Sequence, residues 1–440
     1  MYNFKVSAPG RVHLCGNPLR YEEHCIAASL DMRTRLEFSS ILPSEYPYTI
    51  EINFSDIQLN MTIILRTCFL CLGDMKLVGE LTDAELYTEV ENFVSSLREY
   101  TGTYEPNNLA HRLSLETFFF LLVYISRKNN MKITSSFRVT ISTELAIGEG
   151  LGSSVSFVAC LAACFYLLSL LQKGVVIAEF DHQDISNIFQ YVRTCNYTIY
   201  HCLTTVDSYV SLYGSVRMFE SDAHIGIYGE IPNMKILLVS SNVCQKTLTE
   251  QNERMRNSCH SHLYVESIQK CIDDVVGASN DILETMEYQL VELRKAITCY
   301  SDENEFRTIS KEVYIKLLGP STLEVNSKKR SFRHCYYIEL ICWELCSSLN
   351  TYTLQNLVNV NQGLLHTLDM SHPNLDAICA IAQQFSLAGK LTGNGGGGYA
   401  FILLLPDSTD ELISEVLDKL KSHNFSAKLT SINCPGVTID

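Results

Sequence analysis

Apolar runs of two periods alternate along this chain, and their order sets the fold class. Phe4–Val6 and Ile26–Phe38 read as strands around a turn at Ala8-Pro9-Gly10. Tyr48–Phe54 and Met61–Arg66 read as a strand pair turning at Ser55-Asp56. The pattern then predicts a helix over Leu109–Lys128, a strand over Ile133–Ser142, a helix over Asp184–Cys195 and a strand over Tyr209–Met218. After Gly229–Pro232 the chain restarts with a strand at Met234–Ser240 and helices over Thr247–Asn257 and His262–Ile297. Ser301–Phe332 is polar and irregular, with a basic run at Lys328-Lys329-Arg330, and reads as a solvated loop. Helices over Leu354–Thr367 and Leu375–Gln384, a strand over Tyr399–Leu405, a helix over Asp410–Ser422 and a closing strand complete the chain. No internal repeat is visible. Strands and helices mixed in two halves predict an α+β protein of two domains, 1–231 and 232–440, divided near Ile231–Asn233.

Length supports two domains, because 440 residues exceed what one hydrophobic core usually serves. A chain 46 % hydrophobic and 19 % charged is globular. Its net charge, 34 − 49 = −15, argues against a nucleic-acid partner, which needs a basic face. The 17 cysteines are scattered, many inside apolar runs, and no signal peptide opens the chain. Buried thiols in a cytoplasmic, reducing setting are therefore expected. Cys68 and Cys71 form one close pair without a second pair at metal spacing, and read as structural. Phe118–Ile125 and Phe157–Leu171 are shorter than a membrane span and read as core helices, so no membrane association is expected.

The richest chemistry lies at Ile147-Gly148-Glu149-Gly150-Leu151-Gly152-Ser153-Ser154, followed by the apolar run Val155–Leu171. Glycines let main chain approach a ligand, and the open N–H groups of a helix start attract anions. A serine at the loop's end can ligate the Mg²⁺ that travels with nucleotide phosphates. An ordinary glycine turn before a core helix is the plain alternative. The Gly-Lys-Ser/Thr of a Walker loop is absent.

Three segments in order resemble the GHMP small-molecule kinases. They are Val6–Gly16, with Ala8-Pro9-Gly10-Arg11-Val12; the loop just described; and Lys390–Tyr399, with Lys390-Leu391-Thr392-Gly393 and Gly395–Gly398. Within that superfamily Leu357–Gln362, Ser371–Asp376 and Pro435–Asp440 are similar to the mevalonate kinases. The resemblance implies the two-domain GHMP fold, with an N-terminal βαβ-containing domain and a ferredoxin-like C-terminal domain. It implies ATP and Mg²⁺, mevalonate as the small-molecule substrate phosphorylated at its C5 hydroxyl, and often a homodimer.

Residue by residue, the resemblance gives Gly148, Glu149, Gly150, Leu151, Gly152, Ser153 and Ser154 to the phosphates, with Ser154 on the metal. It makes Asp207 the base or electrostatic partner of the acceptor hydroxyl, with Arg11 in place of the family's lysine. Arg11 keeps the charge but is planar and never a proton donor at neutral pH, so it either serves the reaction or only pairs with Asp207. Thr247, Gly393, Gly395 and Gly396 fall on the substrate side, and Thr143 and Asp56 on nucleotide contacts.

The chain also departs from the pattern. Asn17-Pro18 replaces an acid and a histidine, Asn196 replaces the metal-binding glutamate, and 202–205 replaces the turn ahead of the catalytic aspartate. Glu149 either restores metal charge through water, repels phosphate or faces solvent. The expectations are an active, divergent mevalonate kinase; a nucleotide-binding pseudokinase; or a kinase for another small alcohol.

Overall fold

The computed structural model describes residues 2–17, 24–42, 48–71, 82–97, 102–202, 204–221, 223–231, 233–258, 262–298 and 333–440. Pro18, Leu203 and the polar stretch 301–332 lie outside them. The chain forms two compact units, and each is discontinuous in sequence. The first holds Met1–Arg11, Ser29–Gly214 and Cys434–Asp440; the second holds Val12–Ala28 and Ser215–Asn433. The pattern of apolar residues suggested a single cut near 231. It carries no mark where a strand simply runs on, and two long strands, β1 (Asn3–Gly16) and β2 (His24–Ser40), each contribute to both units.

In the first unit β3 (Thr49–Phe54) and β4 (Leu59–Ile64) form the expected hairpin around a 3-10 turn at Ser55–Ile57. β5 (Phe137–Thr143) pairs parallel with β3 and antiparallel with β2. The last strand, β12 (Thr438–Ile439), returns to pair with β1 at Val6 and Ser7. Helices α1 (Leu65–Cys71) and α2 (Asp83–Ser96) precede α3 (Leu109–Asn129), which Asn108 caps by accepting from the amides of Ala110 and His111. α4 (Ser153–Gln172) and α5 (His182–Tyr200) follow, α5 opening on a capping box between Asp181 and Asp184.

α3 and α4 are apolar nearly all round, as helices inside a core must be. Phe118 of α3 meets Phe165 of α4 edge-on at 5.4 Å between ring centres. Both helices are longer than their apolar runs suggested, 21 and 20 residues, and so long enough to cross a membrane by length and composition. Their apolar windows are 67 % and 78 % buried inside the unit, so core packing accounts for them.

Two local expectations are corrected. Ala8-Pro9-Gly10 is not a turn but the middle of β1. Tyr209–Met218 is not one strand: α6 spans Val206–Tyr213, Gly214 takes φ +69, and β6 (Val216–Glu220) starts after it. A short apolar run fits either period, and the glycine decides between them.

The second unit contains β6 and β7 (Ala223–Tyr228), and an antiparallel sheet ordered β11-β8-β10-β9. Its strands are β8 (Met234–Ser240), β9 (Ala388–Leu391), β10 (Tyr399–Leu403) and β11 (Ala427–Ile432). Helices α7 (Leu248–Ser258), α8 (His262–Thr298), α9 (Arg333–Thr367), α10 (Pro373–Gln384) and α11 (Asp410–Ser422) complete it. This alternation of helix and strand is the two-domain α+β architecture that the sequence predicts.

Candidate functional site

The first unit's site begins with β1. Pro9 has no N–H to give a ladder, and its own carbonyl and that of Ala8 accept from helix side chains. Ser156 of α4 donates to the Ala8 carbonyl at 2.7 Å, and Ser211 of α6 donates to the Pro9 carbonyl at 3.0 Å. Both serines are buried, and each such bond is worth about 1 kcal/mol net. Two helices, α4 near its N-terminus and α6 toward its C-terminal end, are thereby pinned beside one strand. Gly10 lies next in line, where a Cβ would stand 2.6 Å from the Leu151 carbonyl and 2.4 Å from the Leu145 side chain. Only glycine lets the strand pass this close to the loop.

Arg11 follows, and its main-chain N–H donates to Leu151 at 2.9 Å. Its stem runs along Gly152, and its Nη1 donates to the Gly150 carbonyl. Nε and Nη2 each donate to one oxygen of Asp207, both at 2.7 Å. Asp207 stands in the first turn of α6, where the helix dipole favours a carboxylate. The two side chains are 9 % and 17 % exposed, so the pair is largely shielded from water. The bidentate fork is geometry that lysine, a point charge, does not supply.

The glycine loop has positive φ at Gly148, Gly150 and Gly152, and Gly152 at φ +78 leads directly into α4. No side chain caps that helix. Ser153 accepts from the Gly148 amide at 3.4 Å and closes the loop, while Ser154 is exposed at the helix start. Glu149 is half-buried, and burial raises its carboxyl above the usual range.

Asn196 is buried on α5, and its amide donates to Ser208 of α6 at 3.1 Å. It thus braces the helix that carries Asp207. Beside it lies a cavity of about 440 Å³, whose lining includes Arg193, Asn196, Thr205 and Ser208. Thr143 and Asp56 meet each other: the Thr143 amide donates to the Asp56 carboxylate at 2.8 Å, and the two hydroxyls of Thr143 and Thr34 pair at 2.9 Å. The first contact ties the β3–β4 hairpin to β5, and the second ties β2 to β5.

The remaining predicted residues gather in the second unit. Gly393, Gly395 and Gly396 all have positive φ. Gly396 donates to the Met370 carbonyl at 2.9 Å, and Gly398 donates to Val243 at 2.7 Å. Thr247 closes a reciprocal cap on α7. Its hydroxyl donates to Glu250 at 2.8 Å, and the Glu250 amide donates back at 3.2 Å. The Lys390-Leu391-Thr392 run ahead of the loop is interior: the Lys390 ammonium is fully buried and donates to the carbonyls of His13 and Leu391. Burial pulls its pKa down to about 8. Thr392 accepts from the His13 amide at 3.1 Å.

Sequence reasoning missed the two serine anchors, Ser156 and Ser211, and the brace Asn196–Ser208. The only signal was small hydroxyl residues on helix faces that are otherwise apolar.

Comparison with known proteins bears on the fold and the family. The family model for the GHMP kinases C terminal matches residues 345–425. Mouse mevalonate kinase is 24 % identical over 98 % of this chain and 94 % of its own length. The human enzyme is 25 % identical over 99 % and 94 %. The crystal structure of Methanococcus jannaschii mevalonate kinase superposes with a TM-score of 0.61 at 17 % identity, covering 98 % of both chains. The fold is that of the GHMP kinases. Residues 345–425 carry the C-terminal domain of the GHMP kinases, mevalonate kinases are similar to the chain over its full length, and this similarity supports an ATP-dependent small-molecule kinase.

Proposed function

We propose that the protein transfers the γ-phosphoryl group of ATP to the C5 hydroxyl of mevalonate. One observation carries this reading: Arg11 joins the glycine loop at Gly150 to the carboxylate of Asp207 through a single side chain. Full-length similarity to mevalonate kinases supports the choice of acceptor.

In the reaction the acceptor oxygen bonds to the γ-phosphorus while the bond to the β–γ bridging oxygen breaks and ADP leaves. Asp207 orients the attacking hydroxyl and takes its proton. Arg11 offsets the negative charge that builds between them. The amides of the α4 N-terminus and its glycine loop hold the phosphates.

The donor set fits a magnesium ion held mainly by the nucleotide. Ser154 offers a hydroxyl and Glu149 a carboxylate, whereas Asn196 is neutral and engaged with Ser208. Mg²⁺ normally takes one or two carboxylates and fills its shell with phosphate and water. When bound, it neutralises charge on the phosphates. Among the described residues no group of three or more His, Cys, Asp or Glu converges as a separate metal centre.

A second reading, a nucleotide-binding protein with little transfer, is favoured by two observations. Arg11 takes both oxygens of Asp207, and the metal-binding glutamate is absent. The test presents ATP·Mg²⁺ with mevalonate, galactose and homoserine in turn and identifies products by mass. A phosphorylated mevalonate supports the first reading. A different product moves the substrate, and nucleotide binding without product supports the second.

A further inference from the structure

Thr247 spends its hydroxyl on capping α7, and the residue before it is a cation. Lys246 is half-buried, and its stem lies against the second unit's glycine loop. Its Cγ and Cδ stand 3.0 and 2.9 Å from where a Cβ on Gly396 would sit. The main chain fixes this approach from both sides. The Lys246 amide donates to the Gly395 carbonyl at 3.4 Å, and the Asn394 side chain donates to the Lys246 carbonyl at 3.5 Å. Among the described residues no carboxylate forms an ion pair with its ammonium; Glu250, held by Thr247, feels it only at a distance.

A second group converges on the same point. Gln251 is fully buried, and its Nε2 donates to the Asp369 carbonyl at 3.0 Å. Its Oε1 has no hydrogen-bond partner and stands 2.7 Å from the same missing Cβ of Gly396. A buried acceptor without a donor is costly, and such groups usually find a partner. Behind them Arg254 grips Asp369 with two bonds of 2.9 and 2.6 Å, which fixes the turn whose Met370 carbonyl holds Gly396. The stem of Lys246 and the carboxamide of Gln251 thus close over Gly396, which brings a cationic side chain and an acceptor without a donor to the same loop.

We propose that Lys246 is an oxyanion-binding residue at this loop, and that it determines which anionic ligand the loop accepts. The ligand presents a carboxylate or phosphate to Lys246, and a hydroxyl or bound water donates to Gln251. This deepens the kinase reading, in which one source is the acceptor's carboxylate and the other the nucleotide's phosphates.

The test uses calorimetric binding to the full-length protein, with sodium pyrophosphate and (R)-mevalonate as separate probes. Wild type, Lys246→Met and Lys246→Arg are compared. Methionine keeps the stem on Gly396 and removes the charge. We expect it to weaken one probe by about 10- to 100-fold, as loss of a charge-assisted bond does. Arginine restores that affinity to within about fivefold, and Tm moves by less than about 2 °C in both variants, because the Thr247–Glu250 cap is untouched. Loss confined to mevalonate identifies the carboxylate as the ligand, and loss confined to pyrophosphate identifies the phosphate. Unchanged affinity for both probes in Lys246→Met, or wild type that binds neither, overturns the assignment. Binding that follows this pattern in a protein without turnover leaves the assignment standing and defeats the kinase reading alone.

Discussion

Arg11 and Asp207 are 196 positions apart in sequence and meet through two parallel hydrogen bonds of 2.7 Å. The same guanidinium reaches the carbonyl of Gly150, so one side chain couples the phosphate-loop candidate to the candidate acceptor-side carboxylate. The relation is bidentate, and that is what sets it apart from the lysine expected at this position.

Replacing Arg11 separates charge from geometry. Arg11→Met leaves a shielded carboxylate without its partner and is expected to destabilise the protein by roughly 3 kcal/mol, measured by urea unfolding. Arg11→Lys keeps the charge and gives up the fork. Lysine binds one oxygen at a time and leaves more of Asp207 to the acceptor hydroxyl, so kcat is expected to rise several-fold while KM for ATP changes little. A kcat that falls with lysine shows that the fork itself serves the reaction.

By the resemblance to the GHMP kinases, Asn196 is proposed to stand where that family carries a metal-binding glutamate. Asn196→Glu restores a carboxylate there, at the expense of the bond donated to Ser208. The Mg²⁺ concentration for half-maximal rate is expected to drop about tenfold, as one added carboxylate ligand allows. The check is a magnesium titration at saturating ATP and acceptor. No change places the metal away from α5.

Lys390 gives a pH signature. Its folded pKa of about 8 lies below the ordinary 10.5 because burial disfavours the charge. Between those two values the unfolded chain holds more protons than the folded one, so this group's contribution to stability rises with pH across that window. Below about 8 both states are charged, and the full penalty, on the order of 3 kcal/mol, is present. Other groups titrate there as well, so the readout is a difference. Wild-type stability measured relative to Lys390→Met is expected to climb from pH 8 to 10.5. A flat difference shows that the ammonium is not paying this desolvation cost.

Parts of this arrangement were legible in the residues and parts were not. The glycine loop, its helix and the hairpin at Ser55 were readable because local signals decide them: glycine, helix start and strong periodicity. The strand through Ala8-Pro9-Gly10 was not, because Pro-Gly signals a turn unless neighbouring helices take the carbonyls. Here Ser156 and Ser211 do so, from 148 and 202 positions away. Asp207 was placed ahead of a strand and stands instead in the first turn of α6, since Tyr209–Tyr213 suits either period. β7 went unread because Ala223–Tyr228 turns its isoleucines outward. The interleaving of the units was hidden for a simpler reason: nothing in a strand's composition records that its two ends serve different cores. Lys390 shows the reverse failure, a motif residue easily found whose visible job is interior.

The most direct test measures ADP release with ATP·Mg²⁺ and mevalonate for wild type and Asp207→Ala, alongside binding of a non-hydrolysable ATP analogue to each. The account predicts turnover by the wild type, a loss of at least about 10³-fold in the variant, and analogue affinity within a few-fold of wild type. Equal rates for the two proteins, or no wild-type turnover despite bound nucleotide, would contradict it.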